Sequence, residues 1–125
     1  MTMTTSDTAA RKLPKWFKPS NWFEATVDLT DYDAGTVTLR DPTIRQRMRA
    51  DADGKGHEFQ SVRGYACYLR LHVVSGLPSG APTAEDPIEK WEAYVEAMPS
   101  KVASRILDGI AYFVSDPQPA DVPNS

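Results

Sequence analysis

Phe23-Glu24-Ala25-Thr26-Val27-Asp28-Leu29-Thr30-Asp31-Tyr32-Asp33-Ala34-Gly35-Thr36-Val37-Thr38-Leu39-Arg40 is the stretch that decides the fold class. Phe23, Ala25, Val27 and Leu29 alternate with Glu24, Thr26, Asp28 and Thr30, the two-residue period of a strand with one buried face. Asp31 to Gly35 are turn-forming residues, Gly35 being the one best able to take a positive φ, and Val37 and Leu39 then resume the period. A β-hairpin with one apolar face is therefore predicted.

Downstream, the apolar period lengthens to three and four. Asp41-Pro42-Thr43 predicts a helix start, with Asp41 as cap and Pro42 at the first helical position, running through Ile44 and Met48 to about Ala50. Asp51 to Gly56 reads as a loop. Phe59, Val62, Ala66, Leu69 and Val73 share one face of a second helix from about Glu58 to Val74. Gly64 within it either weakens the helix by up to about 1 kcal/mol relative to Ala or marks a close crossing. Ser75 to Pro82 is a Gly/Pro-rich loop. Asp86-Pro87 opens a third helix with Ile88, Trp91, Val95 and Met98 on one stripe and Glu89, Glu92 and Glu96 outside it. Pro99-Ser100 separates it from a fourth, Lys101 to Val114, whose face is Val102, Ile106, Gly109 or Ile110, and Phe113. These last two helices are expected to pair as an antiparallel hairpin. The expected fold is α+β: an N-terminal β-hairpin followed by a small bundle of three to four α-helices.

Upstream lies Leu13 to Phe23, with Trp16, Phe17, Trp22 and Phe23 among two prolines. The prolines preclude a regular helix and four large aromatics are costly to leave in water, so an extended arm is predicted, packed on its own domain or on a partner. Residues 1–12 are polar and Thr-rich and are expected to be disordered; the Pro-rich 117–125 is expected to be a flexible tail. That leaves 13–116 as one domain, a size that buries roughly two-thirds of its unfolded surface without a staple.

The chain of 125 residues is 41% hydrophobic and 25% charged, ordinary globular values. Its one cysteine, Cys67, rules out an intrachain disulfide and makes a reducing cytoplasm the expected compartment. No apolar run approaches the length of a membrane span, and no signal peptide opens the chain. Net charge is -3, but Arg11, Lys12, Lys15 and Lys18 against Asp7 give residues 1–23 a charge of +3, leaving -6 for the rest. An acidic body disfavours nucleic acid as a partner, because phosphate affinity needs clustered Lys and Arg.

Few residue groups suggest chemistry. With Gly54 at position 6 of a calcium loop, Asp51 and Asp53 fall at ligand positions but Arg49 falls at position 1 and Gln60 at 12, so the register fails. Asp28, Asp31 and Asp33 could pair as carboxylates, although turn formation accounts for Asp31 and Asp33. Cys67 and His72 point in different directions on a helix, and a buried thiol with a surface histidine is expected. No nucleophile elbow, phosphate loop or zinc motif is present. No catalytic residue, cofactor or metal is expected. Arg40, Arg45, Arg47 and Arg49 form the densest positive cluster, either a solvated helix or an anchor for an acidic partner segment.

The hairpin, then Thr36-Val37-Thr38-Leu39-Arg40-Asp41-Pro42-Thr43-Ile44-Arg45-Gln46-Arg47, then small helices ending in a pair, together resemble the tail assembly chaperones of long-tailed bacteriophages over residues 23–114. In that family a strand reading like VTLR leads into a Pro- or Thr-capped helix. The resemblance implies a non-enzymatic protein that escorts the tape-measure protein while the tail tube polymerises, and self-association is compatible with it. Trp16, Phe17, Trp22, Arg45, Trp91, Tyr94 and Phe113 are the candidate partner-binding residues, with Trp91, Tyr94, Ile106 and Phe113 lining either a groove or the core. Two other readings are a small phage-encoded inhibitor, an anti-CRISPR or other anti-defence protein, whose acidic Glu85, Asp86, Glu89, Glu92 and Glu96 would mimic nucleic acid, and a minor virion connector.

Overall fold

A computed structural model of the protein describes residues 13–78 and 80–115. The expected disorder of 1–12 and the expected flexible tail at 117–125 lie outside the described residues.

The alternating stretch folds as predicted. β2 (Glu24–Asp28) and β3 (Thr36–Arg40) pair antiparallel with Ala25 opposite Leu39 and Val27 opposite Val37. The hairpin is the centre of something larger, a four-stranded antiparallel sheet in the order β1-β2-β3-β4. The aromatic arm supplies β1 (Phe17–Asn21), with Phe17 opposite Val27 and Pro19 opposite Ala25, and Val73–Ser75 supplies β4. Pro19 is tolerated because β1 is an edge strand. Phe17, Pro19, Ala25, Val27, Val37 and Leu39 are buried on one face, while the other carries Lys18, Glu24, Thr26, Thr36 and Thr38.

The turn departs from expectation at one residue. Asp33, not Gly35, takes the positive φ, at 59°, after a 3-10 turn over Thr30–Tyr32. Asp tolerates this left-handed conformation better than most side chains. The Asp28 carboxylate steadies the entry by accepting from the Thr30 amide at 2.9 Å and hydroxyl at 2.7 Å.

Four α-helices follow among the described residues: α1 (Ile44–Gly54), α2 (Val62–His72), α3 (Ile88–Ala97) and α4 (Ser100–Val114). Sheet and helices make the fold α+β. Thr43, rather than Asp41, caps α1: its hydroxyl accepts from the Gln46 amide and the Gln46 side chain accepts from the Thr43 amide, a reciprocal capping box. The helix also continues past Ala50 through the predicted loop residues Asp51 to Gly54. Ser61 caps α2 at the Gly64 amide, so the helix begins after Phe59 and ends before Val73, which starts β4. Ala66 and Leu69 are buried as expected, but Phe59 and Val62 are exposed. Gly64 does mark a close approach, to the chain just before the helix: a Cβ there would lie 2.3 Å from the Glu58 carbonyl oxygen and 2.4 Å from that of Phe59. Asp86 holds the Thr83 amide at 2.8 Å instead of capping α3.

The expected α3–α4 hairpin does not form. α3 packs chiefly on α2, while α4 lies against β2 and α2. The α4 stripe of Val102, Ile106, Gly109, Ile110 and Phe113 is buried in the core shared with the apolar sheet face, which takes the place of a second helix as its partner. No helix among the described residues is long and apolar enough to cross a membrane.

Candidate functional site

The seven candidate partner-binding residues divide by burial. Phe17, Trp91 and Phe113 belong to the core, each less than a tenth exposed, so their assignment to a partner surface is corrected: they are the apolar filling between sheet and helices. Trp91 also anchors a loop, its indole Nε1 donating to the Thr83 carbonyl at 2.9 Å. Tyr94 donates to the Pro78 carbonyl at 2.8 Å, so both aromatics clamp the Gly/Pro-rich segment to α3. Burial of the Tyr94 phenol raises its pKa. Trp16 is half-buried, edge-on to Tyr112 at 6.1 Å. Trp22 and Arg45 remain exposed.

Trp22 is 48% exposed and Phe23 67%, together forming the β1–β2 turn. The Asp41 amide donates to the Phe23 carbonyl at 2.9 Å, which sets that turn beside the start of α1. α1 has no buried residue. Its half-buried Gln46, Ala50, Asp53 and Gly54 face the domain, whereas Ile44 is 78% and Met48 67% exposed. From Asp41 the surface continues: Arg47 pairs with its carboxylate at 3.6 Å and sits near enough to Tyr68 to lower the phenol's pKa, although burial, the larger effect, raises it. Phe59, half exposed, packs edge-on to Tyr68 at 4.8 Å. Trp22 and Phe23 on the β1–β2 turn, Ile44 and Met48 on α1, and Phe59 before α2 are thus large apolar side chains left exposed on elements that these contacts tie together, with arginines among them. Arg49 donates to the Ala84 carbonyl at 3.2 Å and Arg40 to that of Leu71 at 3.5 Å, whereas Arg45 has no ion-pair partner among the described residues.

The three aspartates near the hairpin tip are not gathered into a carboxylate pair. Asp28 is held by Thr30, whose amide is the main reason its pKa falls below the usual carboxylate range. Asp31 accepts from Arg105 at 3.0 Å, and Asp33 occupies the left-handed turn position. Arg105 also donates to the Asp28 carbonyl and lies 4.4 Å from the Tyr32 ring centre and 5.2 Å from that of Trp16, tying α4 to the hairpin and the arm. Asp53 is turned inward to Arg70, which is almost fully buried.

His72 overturns the expectation of a surface histidine: it is fully buried. Its Nδ1 lies 3.3 Å from the Arg40 carbonyl, which fixes the proton on Nδ1, and its Nε2 has no partner. Desolvation pushes its pKa down to about 4. Cys67 is buried as expected, and burial raises its thiol pKa.

Arg63 and Arg70, which sequence reasoning did not single out, prove to be the main polar ties. Arg63 pairs with Glu92 at 2.9 Å and Glu89 at 3.6 Å and donates to the Asp53 carbonyl at 3.2 Å, and its bond to Glu92 raises its own pKa. The signal was present: Arg63, Cys67 and Arg70 recur at spacings of four and three, a second stripe beside the apolar one.

Compared with known protein families, curated proteins and solved structures, the chain matches none. Among the described residues eight large apolar side chains are exposed, and the five bulkiest, Trp22, Phe23, Ile44, Met48 and Phe59, favour association with another macromolecule more than the valines Val62, Val74 and Val114 do. The nearby guanidiniums add the capacity to pair with carboxylates.

Proposed function

We propose that the protein works by binding another protein, as the tail assembly chaperones it resembles do, escorting a tape-measure protein while the tail tube forms. The observation that carries this reading is the exposure of Trp22, Phe23, Ile44 and Met48, the first pair on the β1–β2 turn and the second on α1, a helix that buries no side chain. Aromatic, Met and Arg side chains are enriched in the centres of protein interfaces, and Trp22, Phe23, Met48 and Arg45 are all exposed. A chaperone must also release its client, which suits a modest surface better than a deep pocket.

The acidic surface required of a nucleic-acid mimic is partly neutralised within the fold. Arg63 pairs with Glu89 and Glu92, and Lys90 lies 3.6 Å from Asp86. The charge left for a nuclease to recognise is correspondingly reduced.

The test is co-expression with a fragment of a long-tailed phage tape-measure protein. Co-purification of the two is expected, with Trp22→Ser plus Phe23→Ser reducing capture at least about tenfold, the scale of losing interface anchors. Recovery of the wild-type protein free of the fragment, or capture unchanged in the double variant, would remove the reading.

A further inference from the structure

We infer that the solvent face of α1 seats an acidic amphipathic helix of the partner, an inference that rests on the protein-binding reading above. Successive helical residues turn by about 100°, so Ile44 and Met48 stand about 40° apart, on the side opposite Gln46, Ala50 and Asp53. The helix thus contributes no residue to the core and holds two large apolar side chains in water.

The charge around those side chains selects the partner's sign. Arg45 is exposed and has no ion-pair partner among the described residues. Arg47 and Arg49 are each about half exposed, and their carboxylate partners stand at 3.6 and 4.0 Å. Asp51, exposed and three residues past Met48, lies on the same face and marks the end of the strip, so the three guanidiniums before it outnumber the carboxylate. The strip from Ile44 to Arg49 complements a segment with large apolar residues at spacings of three or four and Asp or Glu on both flanks.

The backbone decides between a helical and an extended partner. Strand addition needs free edge groups, but on β1 Pro19 has no N–H and the Phe17 amide is bonded to the Pro14 carbonyl at 3.1 Å. β4 is three residues long and is followed by Gly76, with φ of 92° and no room for a Cβ against the Thr36 carbonyl. A helix lying on α1 needs no edge. The eleven residues of α1 span roughly 16 Å, enough for about three turns of a partner and a small, reversible contact.

The experiment titrates the full-length protein against two labelled synthetic helical peptides of about four turns, one with a Leu stripe flanked by Glu and one with the same stripe flanked by Lys. Anisotropy is read at about 50 and about 300 mM salt. The Glu peptide is expected to bind at least about tenfold tighter than the Lys peptide and to weaken with salt. Arg45→Glu should lower its affinity about fivefold or more and narrow the preference, and Ile44→Ser with Met48→Ser should abolish binding, on exposed positions where folding is not at stake. Amide shift changes should centre on α1 and the Trp22–Phe23 turn. Equal affinity for the two peptides, indifference to Arg45→Glu, or shifts centred elsewhere would overturn the inference. So would concentration-dependent self-association through α1 without peptide, which would assign the face to a second copy. Capture of the tape-measure fragment that survives the α1 substitutions removes this inference and leaves the escort reading. Selective peptide binding without fragment capture does the reverse.

Discussion

Burying His72 as a neutral ring couples stability to pH. The groups facing it are Arg40 and Asp41 at the end of β3, Arg47 of α1 and Tyr68 of α2, with Phe113 of α4 closing the apolar side. Its pKa of about 4 in the fold compares with 6.5 for an exposed imidazole. Between those values the unfolded chain binds a proton that the folded chain refuses, so stability is full above about pH 6.5 and falls as the pH drops towards 4, by about 3 kcal/mol in all. Urea denaturation from pH 7 to 5 should therefore give a flatter profile for His72→Phe than for wild type, and parallel profiles would refute the assignment. Glycines separate by local geometry in the same way. Gly64→Ala adds helix propensity but drives a Cβ into two carbonyl oxygens, so it should lower stability by more than about 1 kcal/mol. Gly35 has open space around it and ordinary φ, and Gly35→Ala should change stability by less than about 0.5 kcal/mol in the same denaturation assay.

Between elements, two kinds of contact fix the arrangement: polar ties on α2 and a close approach on α4. Asp53→Ala leaves the buried Arg70 guanidinium without its carboxylate and loosens α1 from α2, for a loss of about 2 kcal/mol or more in chemical denaturation. A loss under about 0.5 kcal/mol would mean that water already serves Arg70. Gly109 sets the distance from α4 to β2, since a Cβ there would stand 2.5 Å from Val27 Cγ2. Gly109→Ala should destabilise, and combined with Val27→Ala it should cost less than the two losses added, a coupling of about 1 kcal/mol. Strict additivity would place the contact elsewhere. The central strands were legible because one buried face imposes a two-residue period on Ala25, Val27, Val37 and Leu39. β1 was not, since Pro19 and unevenly spaced aromatics hide the period of an edge strand. The start of α1 was misplaced because Asp41 and Thr43 both suit a cap, and only the return bond from Gln46 decides between them. The partners of α3 and α4 depend on competition for the sheet face, which no local pattern encodes.

Across the whole molecule, one core draws buried residues from β1, β2, β3, β4, α2, α3 and α4, and α1 stands outside it. The surface proposed for docking was legible in sequence only in part, as Trp22 and Arg45. Ile44 and Met48 read as an ordinary helical stripe, and only the position of α1 beyond the core leaves them in water. Phe17, Trp91 and Phe113 carry the same aromatic signal yet lie inside, because sequence gives residue type but not which side of a packed layer each occupies. This division predicts how the protein opens. Loss of the shared core should be a single transition, with tryptophan fluorescence and far-ultraviolet dichroism giving coincident urea curves. Native-state hydrogen exchange should separate α1 from the rest: held by its capping box and the Arg70 tie but by no buried side chain, it should exchange through openings a few kcal/mol below the global value, while α2 and α4 open only globally. Equal protection in α1 and α4 would show that α1 is integral to the core. Lower protection would mark α1 as the least constrained of the helices described, and a helix docked there as proposed should then raise its protection towards that of α2.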